Sequence, residues 1–148
     1  MFPPKACPAP MICHYPPMGD FEVVVGAGTL RNTAADAVSF PHRWTAAGVT
    51  VDAAFTGAHL LHLAAAGCVL NDVYREAGTS GIAVLGVRVS ASGAFNTETW
   101  QSTGIGYAVE LDTTASAAEI DELLRLVDSV AEIPKSIRAG ASVDRVRA

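Results

Sequence analysis

The chain has 148 residues, 50% of them hydrophobic and 17% charged, with a formal net charge of -5, which is enough for one domain with a buried core and too little for two ordinary ones. The acidic balance offers no basic surface to nucleic acid. No apolar run approaches the roughly 20 residues that span a bilayer, and the N-terminus lacks the basic-then-apolar order of a signal peptide, so a soluble cytoplasmic protein without a membrane partner is expected.

Residues 1–20 are a Pro-rich arm. Pro3, Pro4, Pro8, Pro10, Pro16 and Pro17 deny it a helix or a central strand, while Phe2, Met11, Ile12, Tyr15 and Met18 make it suited to lie against the body. The arm carries Cys7, Cys13 and His14. Their spacing fits no zinc pattern and a fourth ligand is not evident, so neither a metal nor another cofactor is expected. Three cysteines, an odd number without a secretory signal, argue against a disulfide framework and for thiols that are buried, reactive or both.

From residue 21 to residue 148 a single domain is expected. Phe21 to Val25 form an apolar strand, residues 26–28 a glycine turn, and Thr29, Leu30 and Arg31 the start of a short return strand. Residues 38–40 and 44–46 are strand pieces, with Pro41 confining that part to an edge or a bend. Residues 47–55 are a loop or short strand leading to a helix.

That helix, residues 56–77, is the longest helix-compatible apolar stretch, with Cys68 at its middle. Leu61, Ala64, Ala65, Cys68 and Asp72 recur at three- and four-residue steps on one face. Ala64 and Ala65 are small enough to let another backbone approach the thiol. Thr56 suits the N-cap, Gly78 the C-terminal stop, and Arg75 the last turn. A cysteine on an Ala-rich helix is, by composition alone, more often an inert small hydrophobe than a nucleophile.

Beyond the helix, residues 81–90 and 106–111 are strands that pair antiparallel across a loop. Ser116-Ala117-Ala118-Glu119 is a capping box opening a second helix whose Ile120, Leu123, Leu124, Val127 and Val130 share a face. Pro134 follows the end of that pattern, and residues 143–146 are a candidate last strand. The order β-β-β-α-β-β-α-β, without internal repeat, is that of an α+β domain.

The run Thr56-Gly57-Ala58-His59-Leu60-Leu61 through Ala65-Ala66-Gly67-Cys68 is similar to the segment Asn-Pro-Glu-x-Leu, an Ala-rich run, then Ala-x-Cys, that carries the reactive cysteine of the osmotically inducible protein C and organic hydroperoxide resistance (OsmC/Ohr) family. Phe40-Pro41-His42-Arg43-Trp44 resembles the family's aromatic-x-x-Arg-aromatic segment, and residues 131–137 resemble its Cys-Pro-x-Ser segment, with Ile133 in place of the second cysteine. The element order agrees with the family's over roughly residues 21–146. The resemblance implies an intertwined homodimer of antiparallel sheets, with long central helices and a site at the interface. There Cys68 would attack a hydroperoxide and Arg43 would face the thiolate.

A thiol in the middle of a buried helix gains little from the dipole and needs a nearby cation to ionise. Arg43 is the candidate cation. Ala58 stands where the family has the glutamate that orients this arginine, and Asp52 is the candidate substitute. Asp72, one turn beyond Cys68, opposes thiolate formation unless Arg43 or Arg75 neutralises it. His59 and His62 lie off the Cys68 face and are read as packing or pocket-lining residues. With Ile133 at the second position, the sulfenic acid of Cys68 would be resolved by an external thiol reductant or by Cys7 or Cys13 of the arm. A thiol peroxidase acting on organic hydroperoxides is the leading expectation. The others are an OsmC-fold enzyme with different chemistry on a small apolar metabolite, and a non-catalytic ligand-binding or redox-sensing protein.

Overall fold

The computed structural model describes residues 20–148. The Pro-rich arm, including Cys7 and Cys13, lies outside the described residues.

Five strands form one antiparallel sheet in the order β2-β3-β1-β4-β5: β1 (Val23–Gly28), β2 (Val38–Phe40), β3 (Val49–Asp52), β4 (Val84–Phe95) and β5 (Ser102–Thr113). Three helices complete the chain: α1 (Gly57–Ser80), α2 (Ala117–Val130) and α3 (Glu132–Ala139). The expected α+β class and antiparallel pairing hold. Every second residue of the two central strands, Val23, Val25 and Ala27 on β1 and Val87, Val89 and Ala91 on β4, is buried, as the period of two along a strand requires. Those residues form one core with Ala66, Val69, Leu70, Val73 and Ala77 of α1 and with Leu123 and Val127 of α2. Helix α1 therefore has the sheet on one side, with α2 and α3 packed against it elsewhere.

Local chemistry explains most helix ends. Thr56 caps α1, its Oγ1 accepting from the His59 N–H at 3.3 Å. Ser116 and Glu119 close both halves of their capping box, with the Glu119 carboxylate accepting the Ser116 N–H at 2.8 Å. The stop of α1 is Gly81, not Gly78. Gly81 is left-handed with φ 71° and the following Ile82 N–H reaches back to the Ala77 carbonyl at 2.9 Å, a closure that favours glycine. Arg75 is thus not in the last turn. Ala64, expected on the buried face, is exposed, while Ala65 and Cys68 are buried.

Other differences have equally physical causes. Strand β1 runs through the expected glycine turn, because Gly26 and Gly28 keep register with Arg88 and Gly86 of β4. The turn comes at residues 29–31 instead of a return strand. It folds over the sheet so closely that a Cβ on Gly26 would lie 2.5 Å from the Leu30 carbonyl. Residues 44–46 form bends and turns, not a strand. The β4–β5 hairpin is longer than expected. Its tip is tightened by Asn96, whose Oδ1 accepts from the Glu98 and Thr99 amides at 2.9 Å each.

Helix α3 was not foreseen. Pro134 sits in its first turn, where the missing N–H costs no helical bond, instead of marking an end. The expected strand at residues 143–146 does not form, and Val143 and Val146 are exposed.

Candidate active site

Helix α1 presents Cys68 near its middle, 8% exposed, and one turn later Asp72, 2% exposed. The start of α3 brings a third group to the same place. Glu132, the first residue of that helix, offers a carboxylate oxygen, and one ligand atom from each of Cys68, Asp72 and Glu132 lies within 4.8 Å of the others. Its neighbour Ile133 contributes a backbone hydrogen bond to the thiol.

The electrostatics follow from this grouping. Burial pushes the Cys68 thiol up, the Ile133 backbone hydrogen bond pulls it down, and the nearby carboxylates of Asp72 and Glu132 push it up again. Asp72 is itself raised, first by burial; Arg75 counters this and Glu132 and Glu76 add to it. Arg75 Nη1 lies 2.9 Å from Asp72 Oδ1, whereas Asp72 Oδ2 is buried without a hydrogen-bond partner. Among the described residues, the cation tied to this group is Arg75, bound through Asp72.

Of the residues singled out in the sequence, the structure brings together Cys68 and Asp72. Arg43 lies on an exposed bend, its guanidinium 5.6 Å from the centre of the Trp44 ring, and it is not among the groups acting on Cys68. Its neighbour His42 turns to the helix instead, with Nε2 3.0 Å from Asn71 Oδ1 and its ring against Tyr74. Asp52 ends β3 and lines a separate pocket of about 280 Å³ with Arg31, Arg88 and Thr50; among the described residues it makes no ion pair with Arg43. His59 contacts the Thr56 hydroxyl at 2.6 Å and packs against the Phe21 ring. His62 is fully buried, its Nδ1 2.8 Å from the Phe21 carbonyl and its ring stacked on Phe95.

Glu132 escaped the sequence reading. It directly precedes Ile133, the position marked by the resemblance, yet only the unforeseen α3 turns it onto the face of α1. Close by, Ala65, Ile105, Tyr107, Pro134, Ile137 and Arg138 help line a largely apolar pocket of about 330 Å³. It opens one turn ahead of Cys68.

A family model for OsmC-like proteins matches residues 50–145, about two thirds of the chain and all of the site just described. The chain belongs to the OsmC-like family. A crystal structure of an OsmC-like hydroperoxide resistance protein from Jannaschia sp. CCS1 is similar, at 14% identity and a TM-score of 0.49, with 86% of this chain and 95% of that one covered. No curated protein matches the chain. Membership of the OsmC-like family fixes the fold around Cys68, and no helix of the described residues is long and apolar enough to cross a membrane.

Proposed function

We propose that this OsmC-like protein is a thiol peroxidase that reduces organic hydroperoxides through Cys68. The observation that carries the reading is the placement of Cys68. A thiol at mid-helix, against the Glu132 carboxylate, has a proton acceptor at hand, and an apolar pocket reaches Ala65, one helical turn before it. Glu132 takes the thiol proton as the sulfur attacks the terminal peroxide oxygen. The S–O bond forms and the O–O bond breaks. The leaving alkoxide takes a proton back from Glu132, so that a hydroperoxide becomes an alcohol and Cys68 becomes a sulfenic acid. Because Ile133 holds the second-cysteine position, an external thiol condenses with the sulfenic acid, releasing water, and a second thiol restores Cys68 by exchange. Cys7 or Cys13 of the arm is the internal substitute.

The proposal includes a cytoplasmic homodimer in which Arg43 completes the site from the partner chain, with Asp52 in the orienting role. Exposed apolar side chains around Arg43, namely Val38, Phe40 and Trp44, support a covered surface there. An arginine brought to the thiol would offset the two carboxylates and donate to the leaving oxygen. His59 and His62 keep packing roles at the N-terminal half of α1.

A second reading draws on those same carboxylates. Asp72 and Glu132 oppose the thiolate, which favours a pocket used for other chemistry on a small apolar metabolite, or for binding it.

The test is intact-mass analysis of the reduced protein after one equivalent of cumene hydroperoxide, with peptide mapping and a Cys68→Ser control. Oxidation of Cys68 within seconds is expected. A thiol that stays reduced removes the peroxidase reading and moves the search to ligands of the pocket.

A further inference from the structure

We infer that Cys68, Asp72 and Glu132 form a binding site for a single divalent cation of the zinc class, and that the cation competes with hydroperoxide for the thiol. The binding itself does not depend on the peroxidase reading; the competition does.

Three donors converge from two helices, with one ligand atom of each within 4.8 Å of the others. Tetrahedral zinc with one sulfur and two oxygen ligands needs donors about 3.5 Å apart, so the group must close by roughly an ångström. Rotation of the exposed Glu132 side chain supplies part of that movement, and small side-chain rotations of Cys68 and Asp72, buried one turn apart on α1, supply the rest. The observation that makes this more than an acidic cluster concerns Asp72. Asp72 is 2% exposed, and its Oδ2 has no hydrogen-bond partner among the described residues. A buried acceptor without a donor costs free energy that a bound cation would recover. The other oxygen is already held by Arg75 at 2.9 Å, the kind of outer contact that orients a ligating carboxylate.

The donor set selects the metal. A sulfur ligand disfavours magnesium and calcium, which take oxygen, and suits zinc or cobalt. Three protein ligands leave a fourth position open, as in zinc sites that exchange water or substrate. On binding, the Cys68 S–H bond breaks, the sulfur–metal bond forms, and the proton passes to solvent. The sulfur lone pair that would attack a peroxide is then engaged.

The experiment is a titration of the full-length, metal-stripped and reduced protein with cobalt(II) chloride, followed by absorption spectroscopy. One equivalent should produce a thiolate-to-cobalt charge-transfer band in the near ultraviolet together with visible bands of a tetrahedral ion. Cys68→Ser should lose the charge-transfer band. Glu132→Gln, at an exposed position that leaves the core intact, should weaken binding at least about tenfold, with circular dichroism confirming its fold. A double Cys7→Ser, Cys13→Ser variant should keep the band. The site is overturned if the wild type shows no band, if the band survives in Cys68→Ser, if it is lost in the arm double variant, or if Glu132→Gln binds as tightly as wild type. Zinc added at one equivalent should slow Cys68 oxidation by cumene hydroperoxide at least about tenfold, and undiminished oxidation of the loaded protein overturns the competition. If the metal-free thiol ignores peroxide altogether, the peroxidase reading and the competition fall together, while a cobalt band on Cys68 still establishes the metal site.

Discussion

Asp72 and Asp128 each face an arginine, Arg75 at 2.9 Å and Arg138 at 2.8 Å, and the two carboxylates are driven in opposite directions. Asp128 is half-exposed and accepts hydrogen bonds from the Tyr107 hydroxyl and from Arg138, which hold its carboxyl below the usual range. Asp72 is buried, with one oxygen unpartnered, and burial raises it despite Arg75. An arginine alone therefore does not decide the state of a carboxylate; the donors that complete its shell and the water left around it do. The Asp128 cluster ties β5, α2 and α3 together, and its Tyr107 and Arg138 also form part of the pocket wall. The Asp72 cluster holds three acidic groups in an uncomfortable arrangement beside a pocket, as sites that act on a ligand often do.

The sharpest way to break that contrast is to remove one hub from each cluster. Cys68→Ser should abolish hydroperoxide consumption, whereas Asp128→Asn should leave the rate within about twofold, as measured by peroxide loss in a thiol-coupled assay. Equal losses in both variants would erase the distinction. Stability should respond in the opposite sense. Tyr107→Phe deletes a hydrogen bond to a charged group and should cost about 1.5–3 kcal/mol in urea unfolding, with Cys68→Ser costing less. The alkaline limb provides a check on the cause. Burial, with the hydrogen bond to Asp128 second, pushes the Tyr107 hydroxyl up to about 12, so the folded state holds this proton more tightly than the unfolded chain does. The associated stability is fully present below about pH 10, the ordinary value for tyrosine, and is lost as pH rises from there through about 12. That loss should be missing in Tyr107→Phe.

The contrast also marks what a single sequence can carry. Helix α1, its Thr56 cap and the Ser116–Glu119 capping box were legible because each signal lies within one turn of the residues it organises. The antiparallel pairing of β4 and β5 was legible from two apolar runs and a loop. What stayed hidden depended on contacts distant in sequence or on choices between equal local options. Gly78 and Gly81 both offer a helix stop, and the Ile82-to-Ala77 closure selects the second. Pro134 reads equally as an end or as a first turn, so α3 was missed. With it went Glu132, whose role exists only because that helix starts against α1. Arg43 was legible as an arginine between aromatic residues, but its stacking on Trp44 was not. The place of the sulfur and of Asp72 could be read; Glu132, the acid facing it from α3, could not.

The smallest expected effect tests the acidic surroundings of Cys68 most directly. Burial first, then Asp72 and Glu132, raise the thiol above its ordinary value, against the pull of the Ile133 backbone, so the neutral form dominates at pH 7 and alkylation is slow. Removing one negative charge beside the sulfur lowers the cost of a second, and the thiolate fraction rises. Asp72→Asn should therefore speed iodoacetamide labelling of Cys68 at pH 7 by about three- to tenfold, a change of up to about one unit in thiol acidity. The whole rate profile should move to lower pH. The fold should tolerate the change to within about 1 kcal/mol, because the arginine left behind, Arg75, has a side chain 44% exposed and water takes over its solvation. An unchanged profile would mean that burial alone, and not the neighbouring acid, holds the thiol neutral. Asp128→Asn is the matched control: it removes the carboxylate of the other cluster and should leave labelling of Cys68 where it was.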